Sequence, residues 1–340
     1  MDILIVKLGA LGDVLRTTTL ARRLKAAHGG AQIQWLTSRA ALPLLERNPD
    51  LEAAFAVEDR PKLSRRFDLV LSLEEDAHAA TTAEAACRGE LVGITFRGGL
   101  RYTPSSALYY DMSALNREAD GSLTRADGLK ASNRLSYARL WLRILGLPEP
   151  ADPADLRPVL ALTDEERDAA GRGLALAAPL EAAIGFNPGA GGRWPSKQPS
   201  PETAAAWARA LAALGRPVLL LGGAQEAERN RRIFALAGRG LVDAGPGRSL
   251  RAFAALVSRL AAVAATDSLA FHIATAVGRP ALALVGPTSA AELDTFGRGE
   301  VLAAGPCSCF YRPRCSRPRS CLDELPAERV AQALSPWLKN

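Results

Sequence analysis

The chain has 340 residues, of which 48% are hydrophobic and 23% charged, a balance typical of folded globular proteins and not of disordered ones. The length favours two domains, each large enough to bury a core. The formal net charge of +6 fits either an arginine-rich surface or attraction to an anionic partner, such as a phosphorylated molecule or a lipid surface. We find no run of about 18 apolar residues and no signal-peptide pattern, and we therefore expect a cytoplasmic protein without a membrane-spanning helix.

Apolar runs and helical periodicity alternate along the first half of the chain. Strands are predicted at residues 3–6, 32–36, 67–73 and 91–94, and helices at 14–27, 40–47, 84–87 and 132–145. Residues 97–127 do not show this alternation and are predicted to form an irregular segment. The proline-rich stretch at 148–153 is typical of a linker.

A second cycle of strands and helices follows this linker. Strands are predicted at residues 182–186, 217–221, 241–243, 261–265 and 281–285, and helices from 163 and at 201–214, 226–237, 250–260, 268–277 and 327–334. The last helix is expected to fold back onto the first domain. The alternation predicts an α/β fold of two Rossmann-like doubly wound domains, at 1–160 and 161–305, followed by a cysteine-rich segment and C-terminal helix at 306–340.

Ligands of open parallel sheets bind at the carboxyl ends of the strands, so the strand-to-helix loops are the places to search. The first of these loops holds Gly9, Gly12 and Asp13. It is not a dinucleotide-binding fingerprint, because the third glycine and the later acid are missing. Asp13 is either a helix cap or, in a cleft between domains, a general base.

The loop at residues 187–197 opens the second domain. Gly189, Gly191 and Gly192 let backbone N–H groups approach a phosphate, and Arg193 and Lys197 supply positive charge. The loop lacks the ending of a Walker A motif, and a flexible surface loop is the alternative interpretation.

Three later loops carry further candidates. Glu226 could accept hydrogen bonds from a ribose, or be an acid favoured at a helix N-terminus. Asp267 or Ser268 is predicted to cap the helix that contains His272, and a lone helical histidine is more often structural than catalytic. A turn that could close over a ligand follows the last predicted strand, at Gly286, Pro287 and Thr288.

Four cysteines, Cys307, Cys309, Cys315 and Cys321, fall within fifteen positions. They could hold zinc, iron or an iron–sulfur cluster, or be reduced thiols. The spacing lacks a CxxC pair, which speaks against a metal. The surrounding residues are largely prolines and arginines and can bury little apolar surface, so this segment needs an additional cross-link to be ordered. Cys87 is predicted to lie in a helix.

Together these loops resemble glycosyltransferase family 9, the ADP-heptose:lipopolysaccharide heptosyltransferases. The matching positions are Ile3, Leu4, Ile5, Val6, Lys7 and Leu8 with Gly12, Asp13, Val14 and Leu15, residues 187–192 with Lys197, Gly222 and Gly223 with Glu226, Asp267 with His272, and Gly286 to Thr288. The resemblance implies a GT-B fold with a central cleft and an inverting transfer that needs no catalytic metal. It also implies a nucleotide-sugar donor, by family default ADP-heptose, and a glycan or glycolipid acceptor such as a lipopolysaccharide core, with no role for nucleic acid.

By the family pattern, Asp13 matches the base that deprotonates the acceptor hydroxyl, Lys197 the lysine that neutralises the donor diphosphate, and Asp267 the acid that holds the donor sugar. The resemblance implies that the donor is bound by Gly189, Ala190, Gly191, Gly192, Arg193, Glu226, Ser268, His272, Gly286, Pro287 and Thr288. It implies that the acceptor is bound by Lys7, Gly12 and Arg16. These cations, with the arginines of residues 97–101, either suit an anionic acceptor, lipid-linked at the inner face of a membrane, or are ordinary solvated side chains.

The chain departs from the family pattern at two places. Leu269 stands where members often have glycine, and Gln198 and Pro199 replace the end of a Lys-x-Trp motif. These changes leave the identity of the donor sugar open. The alternative functions are a nucleotide-sugar epimerase of the same fold and an inactive binding protein. The autotransporter heptosyltransferases coordinate iron with a similar cysteine segment, so the resemblance also implies a structural zinc or iron at the four cysteines.

Overall fold

The computed structural model describes residues 1–59, 63, 65–238, 240–305, 307 and 309–338. The chain divides into two compact units, Met1–Ala161 and Leu162–Asn340. Among the described residues, no helix combines the length and the apolar character needed to cross a membrane.

The first unit is built on a sheet whose strands are β1 (Asp2–Val6), β2 (Gln32–Thr37), β3 (Ala53–Ala56), β4 (Phe67–Ser72), β5 (Cys87–Phe96) and β6 (Leu100–Tyr102). Their order across the sheet is β3-β2-β1-β4-β5-β6, and only the β5–β6 pair is antiparallel. Its helices are α1 (Leu11–Ala27), α2 (Ala77–Ala86), α3 (Ala107–Tyr110), α4 (Thr124–Ser132) and α5 (Tyr137–Ile144).

Strand β1 shows why this sheet is covered on both faces. Ile3 and Ile5 belong to one buried cluster, with side chains from α1 and α5. Leu4 and Val6 belong to another, with alanines of α2. Because successive side chains of a strand point to opposite faces, a continuous apolar run requires apolar cover on both.

The second unit repeats the plan with β7 (Ile184–Asn187), β8 (Val218–Leu220), β9 (Leu241–Asp243), β10 (Ala262–Thr266), β11 (Ala281–Val285) and β12 (Gly299–Ala303). The order is β12-β11-β10-β7-β8-β9, with all pairs parallel. Its helices are α6 (Asp164–Ala169), α7 (Pro201–Ala212), α8 (Ala227–Ala237), α9 (Leu250–Arg259), α10 (Leu269–Ala276) and α11 (Ala327–Leu334).

Both sheets have the strand order 3-2-1-4-5-6 of doubly wound folds. In such sheets the order reverses between the first and the fourth strand, and ligands bind outside the carboxyl ends of the strands at that point. The reversal lies between β1 and β4 in the first unit, and between β7 and β10 in the second. The predicted α/β doubly wound class is therefore confirmed, and each unit has one place where a ligand is expected.

Several predicted elements are wrong in detail. The helix predicted at 40–47 is only a short 3-10 turn, Leu42–Leu44, because Pro43 lies inside it. The helix predicted at 132–145 begins only at Tyr137, as α5, and the segment predicted to be irregular at 97–127 contains β6, α3 and the first turn of α4. Cys87 opens β5 and does not lie in a helix. Helix α11, predicted to fold back onto the first domain, packs into the core of the second unit, where Val330, Ala333 and Leu334 are buried.

Candidate active site

Two loops meet where the strand order of the second unit reverses. The β7 loop, residues 187–197, follows β7, and Asp267 follows the neighbouring β10. Lys197 Nζ lies 2.7 Å from Asp267 Oδ2, and both side chains are largely buried. The structure thus brings together two predicted catalytic residues that are 70 positions apart in the sequence.

The β11 loop, residues 286–292, completes this cluster. The Thr288 hydroxyl donates to Asp267 Oδ2 at 2.8 Å, and His272 Nε2 lies 3.9 Å from Asp267 Oδ1. Burial alone would raise the pKa of the Asp267 carboxyl, but the charges of Lys197 and His272 and the hydrogen bonds from Lys197 and Thr288 outweigh it. The pKa therefore lies well below its usual value, and Asp267 is a carboxylate at neutral pH.

Glu226 links the glycine-rich β7 loop to the loop after β8 by hydrogen bonds. Its Oε1 accepts the Gly191 N–H at 2.8 Å, and its Oε2 accepts the Gly223 N–H at 2.8 Å. A Cβ at Gly189 would lie 2.6 Å from the Glu226 side chain, so this close approach needs glycine. The Gly192 N–H is bonded to Gln225 Oε1 at 3.0 Å. Two of the N–H groups that we predicted to bind phosphate are therefore already engaged, and Glu226 has a structural role besides its predicted one.

Helix α10 begins after Asp267, with Ser268 at the N-cap position. The Ser268 hydroxyl does not cap the helix but donates to Asn187 Oδ1 at 3.1 Å. His272 is buried one turn later, and its ring contacts Phe271 edge-on. The predicted capping role of the Asp267 and Ser268 side chains is wrong, because both are turned toward the neighbouring loops.

In the first unit, α1 begins at Leu11, earlier than predicted, so that Gly12 and Asp13 lie in its first turn. Asp13 is therefore not the cap, and that position belongs to Ala10. Asp13 Oδ1 lies 2.9 Å from Arg16 Nη2, and the carboxylate is about one-third exposed. The Arg16 guanidinium stacks 4.0 Å from the centre of the Tyr137 ring, which orients it toward Asp13.

Glu74 is a site residue that the sequence reasoning missed. Its Oε2 accepts from the Lys7 ammonium at 3.1 Å and from the backbone N–H groups of Leu8 at 2.9 Å and Gly9 at 3.1 Å. It thereby fixes the loop that leads from β1 to Asp13. The signal available in the sequence was its place directly after the β4 run, which a doubly wound sheet sets beside β1.

Three of the four clustered cysteines come together among the residues that the structure describes. The thiol sulfurs of Cys307, Cys309 and Cys321 all lie within 4.8 Å of one another, and Cys307 Sγ is 3.4 Å from Cys309 Sγ. Thiolates around one tetrahedral zinc lie about 3.8 Å apart, from a Zn–S bond of about 2.3 Å, so these residues fit a single cation. Pro306 and Ser308 of this segment lie outside the described residues.

Cys315 is not part of that mutual group, although its thiol interacts with Cys309. Burial, together with the neighbouring thiols of Cys307 and Cys315, raises the pKa of Cys309 to about 12. Burial also raises the pKa values of Cys307 and Cys321. In the absence of a cation these thiols are therefore protonated and uncharged at neutral pH.

One protein family accounts for the loops of the second unit. The family model described as "Glycosyltransferase family 9 (heptosyltransferase)" matches residues 60–301, which is more than half of the chain. The chain belongs to glycosyltransferase family 9. The predicted family is thus confirmed, as is the prediction that the chain is a glycosyltransferase.

Individual relatives agree with this assignment. Lipopolysaccharide heptosyltransferase 2 of Escherichia coli (strain K12) is 26% identical over 320 residues, covering 85% of this chain and 84% of the relative. The structure of E. coli ADP-heptose lipopolysaccharide heptosyltransferase II superposes with a TM-score of 0.69 at 21% identity, covering 99% of this chain and 98% of that one. The shared fold is GT-B, with two Rossmann-like units.

A third relative contains iron. The iron-containing dodecameric glycosyltransferase TibC of enterotoxigenic E. coli H10407 superposes with a TM-score of 0.58 at 13% identity, covering 99% of this chain and 76% of that one. At this identity the likeness shows the shared fold alone.

Proposed function

We propose that this glycosyltransferase takes a heptose from ADP-heptose and attaches it, with inversion, to a hydroxyl of a lipopolysaccharide-core-like acceptor. The family assignment and the relatives named as heptosyltransferases support the substrate class. The observation that carries the proposal is the Lys197, Asp267 and Thr288 cluster at the strand reversal of the second unit.

The second unit is proposed to bind the donor. When the bond between the sugar and the diphosphate breaks, negative charge develops on the departing phosphate oxygen. The Lys197 ammonium is placed to neutralise that charge, as a charge-assisted hydrogen-bond donor in a largely buried site. The Asp267 carboxylate, kept ionised by its neighbours, can accept hydrogen bonds from sugar hydroxyls. The other residues of the β7 and β11 loops that are predicted to bind the donor lie close to Lys197 or to Thr288 in the sequence.

The first unit is proposed to supply the base. The Asp13 carboxylate accepts the proton of the acceptor hydroxyl while the oxygen attacks the anomeric carbon, and the nucleoside diphosphate leaves from the opposite side. Its pairing with Arg16 holds the carboxylate in one orientation but also stabilises its charge. Arg16 and Lys7 are the cations proposed to attract the acceptor's anionic groups, and the arginines of residues 97–101 add to that charge.

The experiment that tests the function uses the purified chain with ADP-heptose and a heptose-deficient lipopolysaccharide core. Mass spectrometry should find one added heptose on the acceptor and one ADP released per transfer. ADP-heptose without acceptor should remain unchanged. A donor converted to an epimer in the absence of acceptor, or no product with any nucleotide sugar that raises the thermal stability, would contradict the proposal.

We also propose that Cys307, Cys309 and Cys321, with Cys315 beside them, hold one structural zinc or iron. Their mutual distances support this, as does the iron of the similar glycosyltransferase TibC. A bound cation would convert buried thiols to thiolates and staple the segment, and it would take no part in transfer. Transfer at the inner face of a membrane remains part of the proposal for a lipid-linked acceptor.

A further inference from the structure

The cysteine-rich segment contacts both donor loops, and Tyr311 lies at the junction. We propose that Tyr311 is a positioning residue that sets the β7 and β11 loops at the separation the donor requires. This inference rests on the proposed donor-binding role of Lys197 and Thr288. Tyr311 itself is not proposed to touch the donor.

In the β11 loop, Tyr311 forms hydrogen bonds with the residues on both sides of Thr288. Its backbone N–H donates to the Pro287 carbonyl at 2.7 Å. Its hydroxyl accepts the Ser289 N–H at 3.3 Å and donates to Glu292 Oε1 at 3.1 Å. Ser289 and Glu292 are both buried, so these bonds are shielded from competing water. Thr288 is thus held between two residues that Tyr311 fixes.

On the side of the β7 loop, the segment holds the residues around Lys197. The Tyr311 ring packs edge-on against Trp194, at 6.2 Å between ring centres, and the Lys197 ammonium lies 5.3 Å from the centre of the Trp194 ring. Buried Ser196 donates through its hydroxyl to the Arg312 carbonyl at 2.7 Å and through its N–H to the Pro313 carbonyl at 3.1 Å. Ser196, the residue directly before Lys197, is therefore held by the cysteine-rich segment.

The backbone of Tyr311 supports a positioning role. Its φ of +51° lies in the left-handed region, which is rare for a bulky residue and persists only where the surroundings impose it. The cysteine cluster is part of those surroundings. The Arg312 N–H donates to the Cys309 carbonyl at 2.9 Å, and a Cβ at Gly286 would lie 3.2 Å from Cys321 Sγ.

The geometry at Asp267 makes the loop separation important. Lys197 and Thr288, one from each loop, bond to the same oxygen, Asp267 Oδ2, at 2.7 and 2.8 Å. A shift of either loop by an ångström would break one of these bonds. Tyr311, which contacts both loops, thereby determines whether the lysine, the threonine and the carboxylate face a donor together.

The test is titration calorimetry with ADP on the full chain. Tyr311→Phe keeps the ring against Trp194 but removes the hydroxyl, and we expect the Kd for ADP to rise about fivefold, the effect of one net hydrogen bond. Tyr102→Phe is the matched control, because that hydroxyl also donates to a carboxylate, Asp111 at 2.8 Å, but in the first unit. It should leave the Kd for ADP unchanged.

A double-mutant cycle separates positioning from general destabilisation. If Tyr311 acts through the loop that carries Lys197, the effects of Tyr311→Phe and Lys197→Ala on the Kd will not add. Ser196→Ala removes the bond to Arg312 and should also weaken ADP binding, which keeps the test decisive if Tyr311→Phe does not fold. Additive effects, or a lowered melting temperature with unchanged Kd in both variants, would overturn the inference while Lys197→Ala still weakens ADP binding. If Lys197→Ala has no effect, the proposed donor site is itself wrong.

Discussion

Lys197 Nζ and Asp267 Oδ2 lie 2.7 Å apart; Asp267 directly follows β10 and Lys197 ends the loop after β7, the two central strands of the second sheet. The pair is largely shielded from solvent, and its two charges cancel. A nucleoside diphosphate that binds here adds negative charge to the site. In the cluster of Lys197, Asp267 and Thr288, Lys197 is the cation that can pair with that charge.

Lys197→Ala should weaken ADP binding by about 1.5–3 kcal/mol, the range for a hydrogen bond to a charged group. Titration calorimetry measures this directly. Arg231→Ala is the matched control, because it removes an exposed cation of α8 that is paired only locally with Glu228. Equal effects of the two variants would mean that Lys197 contributes only general positive charge, and no effect of either would exclude the proposed contact.

The acid dependence of stability should report on Asp267. Its pKa is depressed in the folded state, so the stabilisation is fully present above the unfolded pKa of about 3.9 and is lost as the pH falls toward the folded value. Wild type and Asp267→Asn should therefore differ in unfolding free energy by a constant amount, roughly 1–3 kcal/mol, between pH 5 and 7. The difference should shrink below pH 4. Urea unfolding curves at several pH values measure it, and a difference that grows on acidification would contradict the prediction.

The sequence predicted the central strands of both sheets, the edge strand β9 and part of the site, and missed the edge strands β3, β6 and β12 and the cross-links. The run from Ile3 to Val6 is unambiguous because both faces of a central strand must be apolar. Strands β3 and β12 were missed because an edge strand needs less apolar surface, and in Gly299–Ala303 only Leu302 is buried. Lys197 and Asp267 were found because each lies in a loop after a buried strand and also matches the family pattern. Glu74 follows the β4 run but was missed, because no motif marks a carboxylate whose backbone N–H partners are brought beside it only by the fold.

Asp13→Asn should cut turnover by roughly 10²-fold or more while leaving ADP binding nearly unchanged, because an amide cannot take the acceptor proton. Steady-state rates with saturating donor and acceptor measure the effect. Asp152→Asn serves as the control, since Asp152 also lies in the first unit and only caps a short 3-10 turn through an oxygen that asparagine retains. Near-normal turnover in Asp13→Asn would mean that another group is the base.

Glu74→Ala should lower turnover without weakening ADP binding, because Glu74 holds the loop before Asp13, in the unit proposed to bind the acceptor. The variant leaves the N–H groups of Leu8 and Gly9 and the Lys7 ammonium without their carboxylate, and we expect a loss of roughly 1–3 kcal/mol in unfolding free energy. Glu74→Gln keeps an acceptor oxygen and should recover part of both losses. A Glu74→Ala variant with normal turnover and lowered stability would make the residue purely structural.

The cysteine cluster should contain close to one zinc or iron per chain when the protein is purified without chelator. Apart from Phe310 and Tyr311, the segment around the cluster is rich in proline and arginine, so apolar burial contributes little to its order. Thiolates around one cation would fix its shape and offset the repulsion among the arginines. Elemental analysis measures the metal, and the melting temperature with and without chelator measures its contribution to folding.

Single serine variants identify the thiols that hold the cation. Cys321→Ser should abolish metal binding, because Cys321 is buried within the mutual cluster, whereas Cys87→Ser, in β5 of the first unit, should retain it. Cys315→Ser decides whether the fourth thiol completes the site: full retention of metal would mean that only three cysteines bind it. If the purified chain holds no metal, and chelator leaves its melting temperature unchanged, the cluster is a group of buried thiols and the segment must be ordered by its hydrogen bonds to the donor loops.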